Sequence, residues 1–167
     1  MRKLGLYMVV VLAVLCNGCG IYSFSGASIP PEAKTVSVQY FSNQAQLINP
    51  TLSNDFTTAL RDAMMNQTSL DMVDSGGDLA FEGEITDYRT TPVAITAGQT
   101  AALNRLTITV NVRFVNVFDE SKNFETKFTH YEDYPSEQDL NSVQESLTGT
   151  IIEALVEDVF NKALVNW

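Results

Sequence analysis

Few residues in this chain have the types and spacing that chemistry needs. The most conspicuous pair is Cys16 and Cys19 in CNGC. A C-x-x-C spacing serves redox or metal chemistry where it opens a helix of a folded domain. Here it closes an N-terminal segment that starts with Arg2 and Lys3 and continues as an apolar run over residues 4–15, interrupted by Gly5. The run has signal-peptide length and falls short of the ~20 apolar residues of a spanning helix. Small Gly18 directly precedes Cys19, whereas bulky Leu15 precedes Cys16. A small residue before a cysteine is where a bacterial lipoprotein leader is cut and the cysteine acylated. The sequence therefore predicts a leader over residues 1–18 and lipidation of Cys19; the alternative is an ordinary cleaved signal. Cys16 leaves with the leader and Cys19 carries a diacylglycerol and an N-acyl chain, so the mature chain has no thiol for a disulfide. Several acyl chains make a stable anchor where one binds marginally. No other cofactor is expected.

The remaining candidates are weaker. His130 is the only histidine. A Ser-His-Asp set would have to use it, and the sequence has no G-x-S-x-G elbow; a strand histidine with a hydrogen-bond partner is the simpler reading. No His/Cys cluster suits zinc. SGGD (75–78) lies between strands, not before a helix, and reads as a turn, not a phosphate loop. Asp78, Glu82, Glu84 and Asp87 could approach calcium but read better as a solvated strand face. Met64 and Met65 read as core packing. That leaves three cations, Arg105, Arg113 and Lys127, set among Thr107, Thr109 and Asn111 on one expected sheet face. They could grip a glycolipid phosphate. The competing reading is cross-strand pairing with Glu82, Glu84 and Glu125, which is favoured because the carboxylates lie so close in the expected sheet.

The elements that must position these residues follow from periodicity. Residues 19–33 form a lipidated N-terminus and tether, in which Pro30 and Pro31 favour extended backbone. Residues 34–167 then read as one domain. Residues 34–41 alternate as a half-buried strand, with Val36, Val38 and Tyr40 on one face and Thr35, Ser37 and Gln39 on the other. Asn49 is a candidate N-cap before Pro50, and Leu52, Phe56, Leu60, Ala63 and Met64 give one helix an apolar face. A short strand at 70–73 completes a β-α-β unit. From Leu79, residues Phe81, Gly83 and Ile85 share a face, with Glu82, Glu84, Thr86 and Tyr88 opposite. The segment 91–104 is long and apolar for a loop and reads as a contact surface. In the next strand Ile108, Val110, Val112 and Phe114 point to the core. The apolar face switches at Val115 and Val117, which suggests a bulge or a strand end. After a turn at 119–123, residues 124–131 return antiparallel with Phe124 and Phe128 inward. A capping-box-like SEQD (136–139) opens a helix striped by Leu140, Val143, Leu147, Ile151, Leu155 and Val159. Phe160, Leu164 and Trp167 extend that apolar surface. The fold class is α+β: a mixed four- to five-stranded sheet with two helices on one face, in the order β-α-β-β-β-β-α.

The chain has 167 residues and a net charge of −10. Losing Arg2 and Lys3 with the leader leaves 8 basic and 20 acidic residues, a net charge of −12. Such a surface repels nucleic acid and disfavours broad docking on anionic lipid.

CGIYSFSGASIP, KTVSVQYFSNQAQLINPTLSNDFTTALRD, GDLAFEGEITDY, TPVAITAGQTAALNRLTITVNVRF and the close EDVFNKALVNW, in this order and spacing, resemble the LptE family of lipopolysaccharide-assembly lipoproteins, in a divergent branch from Gram-negative anaerobes. The resemblance implies two helices on one face of a mixed sheet. It also implies a non-enzymatic lipoprotein of the outer membrane, on its periplasmic face. Such a protein sits largely inside the LptD β-barrel translocon, helps that barrel fold, plugs it and contacts lipopolysaccharide. Members that bind lipopolysaccharide are more basic than this acidic chain, which favours the plug and chaperone role. GIYSF after Cys19 lacks the acidic run of surface-exported lipoproteins in this group, which favours the periplasmic side. The alternative is an independent periplasmic module that binds lipid or glycolipid alone.

Overall fold

The structure, a computed structural model, describes residues 29–47, 49–93 and 102–165. Cys16, Cys19, the leader boundary, the tether to residue 28, the centre of the 91–104 segment and Trp167 lie outside the described residues. The elements are β1 (Thr35–Val38), β2 (Ser42–Asn43), α1 (Leu52–Gln67), β3 (Asp71–Val73), β4 (Leu79–Val93), β5 (Leu103–Asn116), a 3₁₀ turn (Glu120–Lys122), β6 (Phe124–Pro135) and α2 (Leu140–Leu164). The sheet order is β3-β1-β4-β5-β6, and β2 pairs with β4 past the end of β1. β1 runs parallel to β3 and β4, whereas β4, β5 and β6 are antiparallel. The class is the expected mixed α+β sheet with two helices, with the two-residue β2 as an extra strand.

Alternation in β5 drives the core. Leu106, Ile108, Val110, Val112 and Phe114 are all buried. On β4, Leu79, Phe81 and Ile85 join them, and Leu52, Phe56, Leu60 and Met64 of α1 and Ile151, Leu155 and Val159 of α2 close the layer. Rings chain across the strands: Phe81 to Phe114 at 4.9 Å, Phe114 to Phe124 at 5.4 Å and Phe124 to Phe128 at 6.3 Å between centroids. Such pairs add ~0.5–1.5 kcal/mol each beyond their area. Gly83 leaves a place for the ring of Phe41, since a Cβ there would collide with that ring and with the Asn111 carbonyl oxygen.

Several expectations are corrected. β1 ends at Val38 because α1 takes its later backbone groups: Arg61 donates to the Val38 carbonyl (2.8 Å from Nη2), and the Thr57 hydroxyl accepts from Phe41 N (3.1 Å). The alternation breaks there, so Tyr40 is 60% exposed and Phe41 is buried instead. Ser37, expected outside, is buried and accepts from Gly77 N at 3.2 Å. Asn49 does not cap as expected. Its Oδ1 accepts from Thr51 N (3.1 Å), and the helix starts at Leu52, leaving Pro50 outside. Met65 is exposed while Met64 is buried. Of the two expectations at Val115 and Val117, the strand end holds and the bulge does not: β5 pairs regularly and ends at Asn116, and the bulge falls in β4 between Ile85 and Asp87. The extra residue, Thr86, inverts the parity of β4, so Tyr88 is buried where the sequence put it outside. β4 and β6 are longer than expected, running to Val93 and Pro135, so the 91–104 segment is partly strand. Asp139, not Ser136, caps α2, accepting from Asn141 N at 3.2 Å.

Asp78 pins β1 to the start of β4. Its Oδ2 accepts from Lys34 N (2.8 Å), Thr35 N (2.9 Å) and Thr35 Oγ1 (2.9 Å), and Thr35 Oγ1 accepts from Asp78 N (2.9 Å). The bond from the Lys34 backbone, then those from Thr35, hold this carboxyl below the usual aspartate range. A carboxyl whose folded pKa is lowered contributes stability above its unfolded value of about 3.9 and loses it as pH falls through the folded value. Asp78→Asn should therefore be less stable than wild type at neutral pH, with the gap closing below about pH 4; thermal melts across pH 2–7 (roughly the range in which aspartates titrate) measure it. Phe81→Ala should cost about 3–5 kcal/mol through lost burial and a cavity, read by urea denaturation.

Candidate functional site

The face of β4, β5 and β6 turned away from the helices carries the predicted site. Pairing registers place Arg105 opposite Asp133, Thr107 between Arg89 and Tyr131, Thr109 between Asp87 and Thr129, Asn111 between Glu84 and Lys127, and Arg113 between Glu82 and Glu125. All six predicted residues therefore lie on this face, in adjacent rows.

The arginines are already engaged. Arg105 grips Asp133 with two bonds, Nε to Oδ1 at 2.7 Å and Nη2 to Oδ2 at 2.9 Å, and its guanidinium stacks 3.6 Å from the Tyr131 ring centroid. The bond to Asp133 raises the Arg105 pKa, and the same bond lowers that of Asp133. Arg113 pairs with Glu82, which raises its pKa, and Gln39 Nε2 donates to the same carboxylate at 3.1 Å. Arg89 pairs with Asp87. Asn111 Nδ2 donates to Glu125 at 3.0 Å. Thr109 and Thr129 share a hydroxyl–hydroxyl bond of 2.9 Å, and Thr107 and Thr109 are buried within the sheet. The favoured reading, cross-strand pairing with Glu82, Glu84 or Glu125, describes Arg113; Arg105 is also paired across strands, but with Asp133, outside that set.

Lys127 differs. Among the described residues it has no ion pair or hydrogen bond. It borders a groove of about 1030 Å³ with Gln44, Gln46, Thr86, Asp87 and Thr109, at the β4 bulge. An exposed ammonium beside amides and hydroxyls suits an anionic oxygen, although the Asp87 carboxylate shares the lining.

Sequence reasoning missed Asp133, Tyr131 and the Arg89–Asp87 pair. For the first two, the signal was present: the even spacing Glu125, Lys127, Thr129, Tyr131, Asp133 continues one face, visible once β6 is extended past Tyr131. Arg89 and Asp87 were hidden by the bulge. His130 lies on the opposite, helix-facing side, where its Nε2 meets Asp158 Oδ2 of α2 at 2.7 Å. It bridges β6 to α2, as a strand histidine with a hydrogen-bond partner. Beneath the helices, the Tyr88 and Thr148 hydroxyls lack a hydrogen-bond partner of good geometry. Burial pushes the Tyr88 phenol up, opposed by Thr148 and Asn49 beside it. No group of three or more His, Cys, Asp or Glu that could hold a metal occurs among the described residues.

A family model described as lipopolysaccharide-assembly, LptE, matches residues 33–163. Among solved structures, the chain is similar to a minor lipoprotein from Acinetobacter baumannii (15% identity, TM-score 0.50, covering 78% of this chain and 91% of that one). It is also similar to a hypothetical protein from Chlamydia trachomatis (11% identity, TM-score 0.52, covering 80% and 100%). A third, from Helicobacter pylori and described as a homologue of a neuraminyllactose-binding hemagglutinin, has 8% identity and a TM-score of 0.55 over 84% and 88% of the two chains. At these identities the likeness is one of fold. Among the curated proteins none matches. With most of the chain matched by the family model, the protein belongs to the LptE family of lipopolysaccharide assembly.

Proposed function

We propose that this protein is a non-enzymatic lipoprotein, anchored through acyl chains on Cys19 to the periplasmic face of the outer membrane. There it partners, plugs and helps assemble an LptD-type β-barrel that delivers lipopolysaccharide to the cell surface. Membership of the family carries this reading, and the open sheet face supports it physically. Barrel lumens are polar. A face whose arginines are each matched by a carboxylate can lie against such a wall without stranding an arginine, and an unpaired charge is the costly case in a partly dry interface. The single histidine is occupied with Asp158 across β6 and α2, which fits a structural role for it.

Direct contact with lipopolysaccharide falls to Lys127 in this reading. Arg105 and Arg113 would have to leave Asp133 and Glu82 to hold a phosphate, whereas Lys127 has no ion pair to leave among the described residues. Thr109 and Asn111, beside Lys127 in the register, supply neutral polar groups, while Thr107 serves the sheet interior. The groove at Lys127 also favours a second reading, an independent periplasmic module that binds glycolipid by itself.

Two experiments separate these readings. Tagged, lipidated protein extracted gently from its own outer membrane should bring down a large barrel near one-to-one by mass spectrometry. Recovery alone, from membranes whose barrels survive extraction, would contradict the plug reading. Lys127→Glu should weaken retention of purified lipopolysaccharide roughly tenfold, the scale of one charge-assisted contact, while barrel recovery persists. Unchanged retention would remove Lys127 from the contact.

A further inference from the structure

We propose that the turn carrying Val117 and Phe118 is a second membrane contact, seated in the interfacial layer of a zwitterionic phospholipid bilayer beside the lipid on Cys19. Six large apolar side chains are exposed among the described residues, and in most of the molecule they are isolated. Val117 and Phe118 are the exception: adjacent in sequence, 58% and 48% exposed, at the start of the β5–β6 connection, directly after the last residue of β5. Single exposed apolar residues need no explanation; two adjacent ones held out by the same turn form a small apolar patch that a contact would cover.

The turn is built to hold them out. Asn116 is buried, and its Oδ1 accepts from Phe118 N (2.9 Å) and Asp119 N (3.1 Å). Asn116 N donates to Asn123 Oδ1 at 2.7 Å, and Val117 N to the Asp78 carbonyl at 3.1 Å. Asp119 Oδ1 accepts from Ser121 N and Oγ, closing the following turn. With the backbone fixed from both sides, the two side chains pay little ordering entropy on entering an apolar layer.

Position identifies the occupant. Ile29, Pro30 and Pro31 border the same small cavity as Asn116, Asp119 and Lys122. The chain therefore enters the domain at this end, only ten residues after Cys19. Ten residues span at most about 36 Å, so an acylated Cys19 keeps this end within that reach of the bilayer. A barrel-lumen domain must also send its tether out past the rim to reach its lipid, and Ile29, where the described chain begins, lies at this end. Asp119 and Glu120 follow Phe118, with Lys122 beyond them, and the mature chain is strongly acidic, which favours a neutral lipid surface over an anionic one. Phe118 and Val117 are purely apolar side chains of the kind that bury at the headgroup and acyl boundary.

This inference rests on acylation of Cys19, which also makes its test clean, because a cysteine placed at position 117 or 118 is then the sole free thiol. Full-length lipidated Val117→Cys, and separately Phe118→Cys, would be labelled with a nitroxide and reconstituted in phosphatidylcholine vesicles, with Glu157→Cys on exposed α2 as the control. Intact mass reports acylation independently. The expected result is relaxation by membrane-dissolved oxygen exceeding that by an aqueous nickel complex at 117 and 118, with the reverse at 157. An acylated, vesicle-bound protein whose labels at 117 and 118 remain fully aqueous overturns the proposal and leaves the anchor intact. A mass without acyl chains and a protein that stays in the supernatant overturns both.

Discussion

A single extra residue in β4 decides what the long half of the sheet buries. Up to Ile85 the odd-numbered positions of β4 face the helices; after Thr86 the even-numbered ones do. Because of that inversion Tyr88 enters the core, and Asp87 and Arg89 stand together on the open face. Regular pairing through this point would place Asp87 and Arg89 under α2, where charges must be paired and hydrogen-bonded to be tolerated. The segregation of the molecule into an apolar face under two helices and a charged open face thus rests on a local irregularity, and the remaining strands follow through their registers with β4.

The open face is charged in composition and nearly neutral in arrangement. Arg89, Arg105 and Arg113 each have a carboxylate partner, and these pairs are partly exposed. Exposed pairs contribute little to stability. Their effect is instead to fix side chains in one geometry and to cancel charge locally, on a chain that is acidic overall. A partner with a polar wall can approach such a face without displacing a tightly held ligand. Among the described residues Lys127, Glu84 and Glu125 are the charges of this face outside those ion pairs, and Lys127 borders the groove beside the bulge.

Much of this was legible in the sequence. The 2-residue period of Ile108, Val110, Val112 and Phe114 set β5 and its core face, and the stripe from Ile151 to Val159 set α2, because burial on one face imposes a period that survives in one dimension. Arg105, Thr107, Thr109, Asn111 and Arg113 were placed on one face for the same reason. What was illegible depends on contacts distant in sequence. Tyr40 and Phe41 exchanged roles because Arg61 and Thr57 of α1 take backbone groups from the end of β1. Tyr88 crossed to the core because a bulge shifts parity without leaving a compositional mark. The partner of Arg105 required the register of β5 on β6, which pairing alone reveals. Asp78, read as one of a row of solvated acids, is a structural acceptor for the start of β1.

The most direct test of the account is photo-crosslinking in living cells from a residue at the centre of the open face. Thr129 meets this need, lying beside Thr109 away from the helices. A photoreactive amino acid at position 129 is predicted to yield one dominant adduct, with a large outer-membrane barrel whose migration changes on heating. Adducts only with soluble periplasmic proteins, or none while the protein is abundant in the outer membrane, would contradict the claim that this face is built to lie against a barrel.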